Sequence, residues 1–276
     1  MKFKNLQKMA GVFEEVGYFL RDAEAIALRG VMARGHGMIL LLEGLPGVGK
    51  TFLAESSAKV IEANYLYYLC HSWTDDQELF AGIDVPAVVS GDTDNVRQLG
   101  ILAQAALSSQ KGMTVLCLDE LDKTSDKVES LLLDFLQSGK VPVKPGEFLQ
   151  ANLENLLVFI TSNNLRELTD PLLRRVRRVK MEPLPVMVVD SILSDRCSLP
   201  VGLVKVTRKI AFGLAEAEGY QVSVQEMTNL LEEIKIATSK QEVAISVSGW
   251  STRHNTPIAV GVIGPIWAEL TKWQTS

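Results

Sequence analysis

Residues 44–51 read Gly-Leu-Pro-Gly-Val-Gly-Lys-Thr, a GxxxxGK[ST] string between an apolar run, Met38 to Leu42, and a helical pattern, Thr51 to Ile61. Glycines there let the backbone wrap a phosphate chain with its N–H groups pointing inward, and the helix that follows adds its positive dipole end to the same anion. Lys50 then neutralises the β- and γ-phosphates, and Thr51 offers a hydroxyl to Mg2+, which takes a few oxygen ligands and keeps several waters. A second string, Thr114 to Glu120, carries four apolar residues into the adjacent carboxylates Asp119 and Glu120. Asp119 is placed to hold Mg2+ through water, and Glu120 to polarise a water that attacks the γ-phosphate. The bland alternatives are a glycine turn capping a helix and two acids opening a loop; the two strings together argue against both.

A third run, Leu156 to Thr161, ends in Ser162-Asn163-Asn164, where the Asn163 amide can hold the attacking water. Shortly after it, Asp170 to Arg178 reads as a short helical segment ending in four arginines, Arg174, Arg175, Arg177 and Arg178. Arginine clusters are usually solvated surface, yet arginine supplied in trans strongly stabilises charge on a transferring phosphoryl group.

These residues need a scaffold that gathers them. Met38 to Leu42, Val115 to Leu118, Leu156 to Ile160 and Tyr65 to Leu69 read as buried strands, separated by helical patterns such as Ser125 to Gln137, which stops at Gly139. Strands alternating with helices imply a parallel sheet covered on both faces, with ligands bound beyond the carboxyl ends of its strands. From about Val186 the pattern turns helical: Leu203 to Ala217 ends at Gly219, and Ser223 with Glu226 forms a capping box ahead of Met227, Leu230, Leu231 and Ile234. A linker is expected near Glu182 to Pro185. Ala81 to Leu99 reads as a polar loop or hairpin insertion, and Val141 to Phe148, with its Pro145-Gly146 turn, as a hairpin.

Composition excludes several classes. With 276 residues, 47% hydrophobic and 22% charged, the chain is neither disordered nor low-complexity. Acidic residues number 33 against 28 basic, so no general field attracts a phosphate backbone. Cys70, Cys117 and Cys197 are widely spaced, without a CxxC pair, which suits a reducing compartment. The N-terminal residues, with Lys2, Lys4 and Lys8, lack the apolar core of a signal peptide, and no apolar run approaches a membrane span. The expectation is a soluble, cytoplasmic protein without a membrane partner.

In this order the motifs resemble an AAA+ ATPase and, within that class, the MoxR-like group. Gly44 to Thr51 resembles Walker A, Leu116 to Glu120 Walker B, Phe159 to Asn163 the sensor 1 strand, and Leu172 to Arg175 the arginine-finger box. Ser251-Thr252-Arg253 resembles sensor 2, ahead of a helix expected to be capped by Thr256 with Pro257 at its first position. Val16-Gly17-Tyr18 resembles the segment that packs on adenine, and Cys70 to Gly82 the stretch after the second core strand, where Trp73 and Phe80 are either core or substrate grips. The resemblance implies a P-loop α/β core over residues 1–185, a parallel sheet sandwiched by helices, and a small, mostly α-helical lid over 186–276. It implies ATP and Mg2+ as ligands, bound by Gly44, Pro46, Gly47, Val48, Gly49, Lys50, Thr51, Phe52 and Asp119, with Thr51 and Asp119 at the metal. Glu120, Asn163, Arg175 and Arg253 would serve catalysis, with Arg174 the alternative finger because the doubled arginine leaves the register open by one. Gly261, Gly264 and Pro265 make the last lid helix poor by propensity.

The function implied is ATP hydrolysis in a homo-oligomeric ring, expected to be a hexamer, coupled to remodelling or maturation of a protein partner. Two alternatives share the nucleotide motifs. A nucleic-acid-associated motor or clamp-loader-like ATPase needs a basic surface that the acidic balance does not favour, and a nucleotide-gated scaffold with little hydrolysis leaves intact Asp119 and Glu120 unexplained. A small-molecule kinase fits the asparagine and arginine box less well.

Overall fold

A computed structural model of the chain describes residues 5–83, 97–144 and 146–275. Over these residues, packing divides the chain into two units, Met1–Leu45 with Gly49–Glu182, and Pro46–Val48 with Pro183–Ser276. The main division falls at Glu182/Pro183.

The first unit opens with helices α1 (Leu6–Glu15) and α2 (Asp22–Arg34), then strand β1 (Met38–Glu43), helix α3 (Lys50–Val60) and strand β2 (Asn64–Leu69). A one-turn helix α4 (Asp76–Leu79) leads to the antiparallel pair β3 (Ala81–Ile83) and β4 (Arg97–Leu99), followed by α5 (Ile101–Lys111) and β5 (Thr114–Asp119). A 3-10 turn, Leu121–Lys123, precedes α6 (Asp126–Ser138), the hairpin β6 (Lys140–Lys144) and β7 (Glu147–Gln150), then β8 (Leu156–Ser162), α7 (Asp170–Leu173) and β9 (Arg177–Lys180). Five strands form one parallel sheet in the order β2-β5-β8-β1-β9.

The strand order explains which strands the apolar runs reveal. β5 and β8 are buried along their whole length and β1 is buried up to Glu43, as strands covered on both faces must be. Leu40, Leu41 and Leu42 are fully buried, each worth about 1.5–3 kcal/mol of apolar transfer. β2 and β9 are the edges: β2 buries none of its residues fully and exposes Asn64, Tyr67 and Leu69, and β9 exposes all but Val179. Arg177 and Arg178 therefore belong to an edge strand, which corrects the helical reading of that segment: the helix ends at Leu173, and Val179 is the residue that β9 buries.

Both expected hairpins are strand pairs at their bases. Residues 84–96, within the Ala81 to Leu99 insertion, and Pro145 of the Pro-Gly turn lie outside the described residues. Phe80 is buried and Trp73 is 86% exposed, so the two aromatics part company.

The second unit is helical: α8 (Val186–Cys197), α9 (Val201–Ala217), α10 (Val224–Ile236), α11 (Lys240–Ser251) and α12 (Gly264–Gln274) pack around Leu193, Leu203, Leu230, Leu231, Val247 and Ile266. The capping box forms as read: the Ser223 hydroxyl accepts from Glu226 N at 3.2 Å, and the Glu226 carboxylate accepts from Ser223 N at 2.7 Å. The helix expected at Thr256 and Pro257 does not form. Ser248 Oγ instead donates to Thr256 O at 2.6 Å, and Thr256 Oγ1 to Glu218 at 2.8 Å, which tie that segment down as a non-helical connection. The last helix begins at Gly264, with Pro265 in its first turn, where a missing N–H costs nothing, so low propensity does not abolish it. Among the described residues no helix is long and apolar enough to cross a membrane.

Gly139 caps α6 at φ +68°, and a Cβ there would stand 2.7 Å from Gln150 Nε2 and 3.1 Å from Ala151 O. Gly139→Ala is expected to lower stability by about 1–2 kcal/mol, seen as a lower urea midpoint at unchanged slope.

Candidate functional site

The sheet brings the three motifs to one edge. β8 lies between β1 and β5, with Leu42 paired to Thr161, Glu43 to Ser162, and Leu118 to Ile160. The glycine loop after β1, the two acids after β5 and Asn163 after β8 consequently emerge side by side at the carboxyl ends of their strands. Within the loop, Gly47 and Gly49 take φ of +80° and +98°, which L side chains rarely adopt, and Gly49 is the residue from which α3 starts.

Lys50 is buried, and its ammonium donates to three acceptors: Gly44 O at 2.7 Å, Leu45 O at 2.9 Å and Asn163 Oδ1 at 2.7 Å. Burial pulls its pKa below the ordinary lysine value, against the opposing field of Asp119, Asp122 and Glu120. The other half of the Asn163 amide, Nδ2, donates to Glu120 Oε1 at 2.8 Å. One side chain thus joins the lysine of the glycine loop to the second acid of the pair.

Glu120 is the strained member. Its backbone is left-handed, φ +56° and ψ +46°, which costs a non-glycine residue on the order of 1 kcal/mol. Its N–H donates to Thr161 Oγ1 at 2.8 Å, a bond that offsets the strain. Lys123 Nζ stands 2.5 Å from Glu120 Oε2, and that contact raises the Lys123 pKa. An ionised carboxylate offers about four acceptor positions. Asn163 and Lys123 take one on each oxygen, so both oxygens can still accept from a water.

Asp119 is held by three hydroxyls. Thr51 Oγ1 donates to Oδ1 at 2.8 Å, Thr161 Oγ1 to the same oxygen at 2.7 Å, and Tyr67 Oη to Oδ2 at 3.1 Å. Burial and the neighbouring Asp119 raise the Tyr67 pKa well above the ordinary tyrosine value, so this phenol stays a proton donor at neutral pH. Among the described residues no cluster of three His, Cys, Asp or Glu side chains could cage a metal. The donor set that is present, the Thr51 hydroxyl beside the Asp119 carboxylate, is all oxygen and incomplete by itself, which fits a Mg2+ ion that relies on phosphate and water for its other positions.

Residues with no role in the motif reading also belong here. Thr161 bridges Asp119 and the Glu120 backbone. Asp122, 3% exposed, accepts from Asn163 N at 3.0 Å and Leu165 N at 2.8 Å. The signal was the tight spacing of Asp119, Glu120 and Asp122; for Tyr67, on an edge strand, the sequence holds none.

The arginine assignments lie on other segments of the chain. Arg175 is half-buried and donates to Pro171 O at 2.6 Å, while Arg174 beside it is exposed. Arg178 forms a bidentate pair with Glu43, at 3.0 and 2.9 Å, and is engaged within its own chain. Arg253 lies in the second unit, exposed on the turn after α11, with its backbone N–H donating to Glu218 at 2.7 Å. Tyr18 is buried against Phe13 and Phe52, with ring centroids 6.0 and 5.5 Å away, and donates to Glu24 Oε2 at 3.0 Å.

A parallel sheet with a glycine loop ahead of a helix, and paired acids two strands away, defines a P-loop nucleotide-binding domain. Residues 39–178, just over half the chain, match the AAA domain (dynein-related subfamily), and the chain belongs to that family. It is 28% identical over 195 residues to the Lon protease of Chlamydia trachomatis, a match covering 65% of this chain and 22% of that protein. Lon protease 2 of Borreliella burgdorferi is 29% identical over 167 residues, 57% of this chain and 20% of the relative. The chain thus spans about a fifth of the length of these relatives. Its fold is similar to that of a point mutant of Thermotoga maritima RuvB, with a TM-score of 0.56 at 15% identity over all of this chain and 75% of that one.

Lys50→Ala removes the cation from the loop and strands the Asn163 carbonyl oxygen. Titration of the variant with a fluorescent ATP analogue is expected to show affinity weakened by about a hundredfold or more, roughly the loss of a buried charge-assisted contact.

Proposed function

We propose that this protein is an AAA+ ATPase that hydrolyses ATP with Mg2+ in a ring of identical subunits and uses the turnover to remodel or mature a protein partner. The observation that supports hydrolysis most strongly is the Asn163 amide held between Lys50 and Glu120. Lys50 marks where the terminal phosphates lie, and Asn163 fixes the carboxylate beside them with acceptor positions to spare. In this reading Glu120 is the general base for water, Asn163 orients that water and senses the γ-phosphate, and Thr51 with Asp119 holds Mg2+, which supplies charge neutralisation at the phosphates when bound.

The remaining assignments extend the same reading. Pro46, Val48 and Phe52 line the nucleotide with the loop glycines, the C-terminal unit serves as a lid, and Arg253 acts from it as sensor 2. Arg175 or Arg174 reaches into a neighbouring subunit's site, because an arginine just past a short surface helix suits supply in trans. A hexamer, a cytoplasmic setting and the MoxR-like group are carried by the motif resemblance. A protein client is favoured over a nucleic acid by the acidic balance, and by relatives that are named as proteases.

Glu120→Gln keeps the hydrogen bond from Asn163 and loses the base. The variant is expected to bind ATP with affinity within about threefold of the native protein while turnover falls by about 100-fold or more. Phosphate release and nucleotide binding measured on the same preparation check it; native turnover in the variant removes Glu120 from the chemistry.

A further inference from the structure

The connection from β8 to the arginines is fastened to the segment that follows Glu120 at two buried carboxylates. Asp122 accepts the N–H groups of Asn163 and Leu165, as above. One turn into α6, Glu129 is 0% exposed and accepts from Thr169 N at 2.8 Å and from Thr169 Oγ1 at 2.6 Å. It also pairs with the Arg166 guanidinium, whose Nε donates to Thr124 O at 2.8 Å. Thr169 is the residue from which α7 starts, and α7 is four residues long, ending one position before Arg174.

A helix of one turn has no stability of its own, since nucleation fixes several dihedrals for a single internal hydrogen bond. Its direction is set by what holds its ends. The C-terminal end runs into the edge strand β9, and the N-terminal end rests on Glu129. The buried carboxylate has no other partner among the described residues than Arg166 and Thr169, both on the strap that leads to the arginines.

We propose that Glu129 is the positioning residue for the arginine that this chain presents to a neighbouring copy, with Asp122 performing the same service for Asn163 in the chain's own site. The proposal rests on the shared-site reading above. Its consequence is an asymmetry: loss of Glu129 impairs what a subunit donates and spares what it does with its own nucleotide.

Mixed assemblies separate the two roles. Acceptor subunits carry Arg174→Ala with Arg175→Ala, so they have an intact nucleotide site and no arginine to give. Donor subunits carry Lys50→Ala, so they offer arginine and cannot turn over ATP. Mixing is expected to restore ATPase activity that neither has alone. Donors that also carry Glu129→Gln are expected to restore about tenfold less, since an arginine in trans is worth orders of magnitude in rate. Acceptors that also carry Glu129→Gln are expected to respond to Lys50→Ala donors within about twofold of the original acceptors. Full restoration by the Glu129→Gln donors overturns the proposal, and so does an equal loss in both roles, which would mark a merely structural residue. No restoration by Lys50→Ala donors overturns the shared-site reading itself, and the proposal falls with it. Removing one partner of a buried pair can unfold a protein. If Glu129→Gln donors fail to fold or to enter assemblies, Lys50→Ala/Thr169→Val donors carry the test, because they lose only the hydroxyl bond. They are expected to restore at least about twofold less, and unchanged restoration overturns the proposal.

Discussion

The amide of Asn163 is the joint on which the site depends. Its oxygen takes a proton donor from Lys50 and its nitrogen gives one to Glu120, so a single side chain ties three strands' worth of chemistry together. An amide can do this because it is donor and acceptor at once, at opposite ends of one rigid plane; a carboxylate or an ammonium at the same place would repel one of its two partners. The arrangement requires β8 to lie between β1 and β5, and the parallel register places it there. Topology therefore decides the chemistry: the same three strings on differently ordered strands would not meet.

Around that joint, charge is balanced locally. Lys50 is buried and compensated by Asp119, Asp122 and Glu120, while Asp119 accepts from the hydroxyls of Thr51, Thr161 and Tyr67. Such a network is costly when half satisfied and rigid when complete. The left-handed backbone of Glu120 fits the same logic, since strain at this carboxylate is tolerated where neighbouring bonds over-determine it. The segment from Leu121 to Glu129 extends this order outward, through Asp122 and then Glu129, toward the arginines.

Much of this was legible in the residues themselves. The apolar runs that become β1, β5 and β8 are continuous because these strands are buried on both faces, and the glycine loop and paired acids announce themselves by type and spacing. The capping box at Ser223 and the stop at Gly139 are local chemistry that the fold does not override. β9 was hidden because an edge strand need bury only one residue, Val179, and its arginines suggest surface. Tyr67 was hidden because its role depends on which strand lies beside it. The helix expected at Thr256 failed because its cap residues found tertiary partners, Ser248 and Glu218, that a local reading cannot weigh. The family match agrees with the motif reading at the level of the AAA domain.

The central claim is a hydrolytic site that each subunit builds from its own Lys50, Asp119, Glu120 and Asn163 and that a neighbour completes. ATP turnover per subunit measured against protein concentration, with particle mass followed in parallel, tests it most directly. The account predicts a rate that climbs as copies assemble and levels off once assembly is complete. A rate that stays flat from monomer to assembly would contradict it.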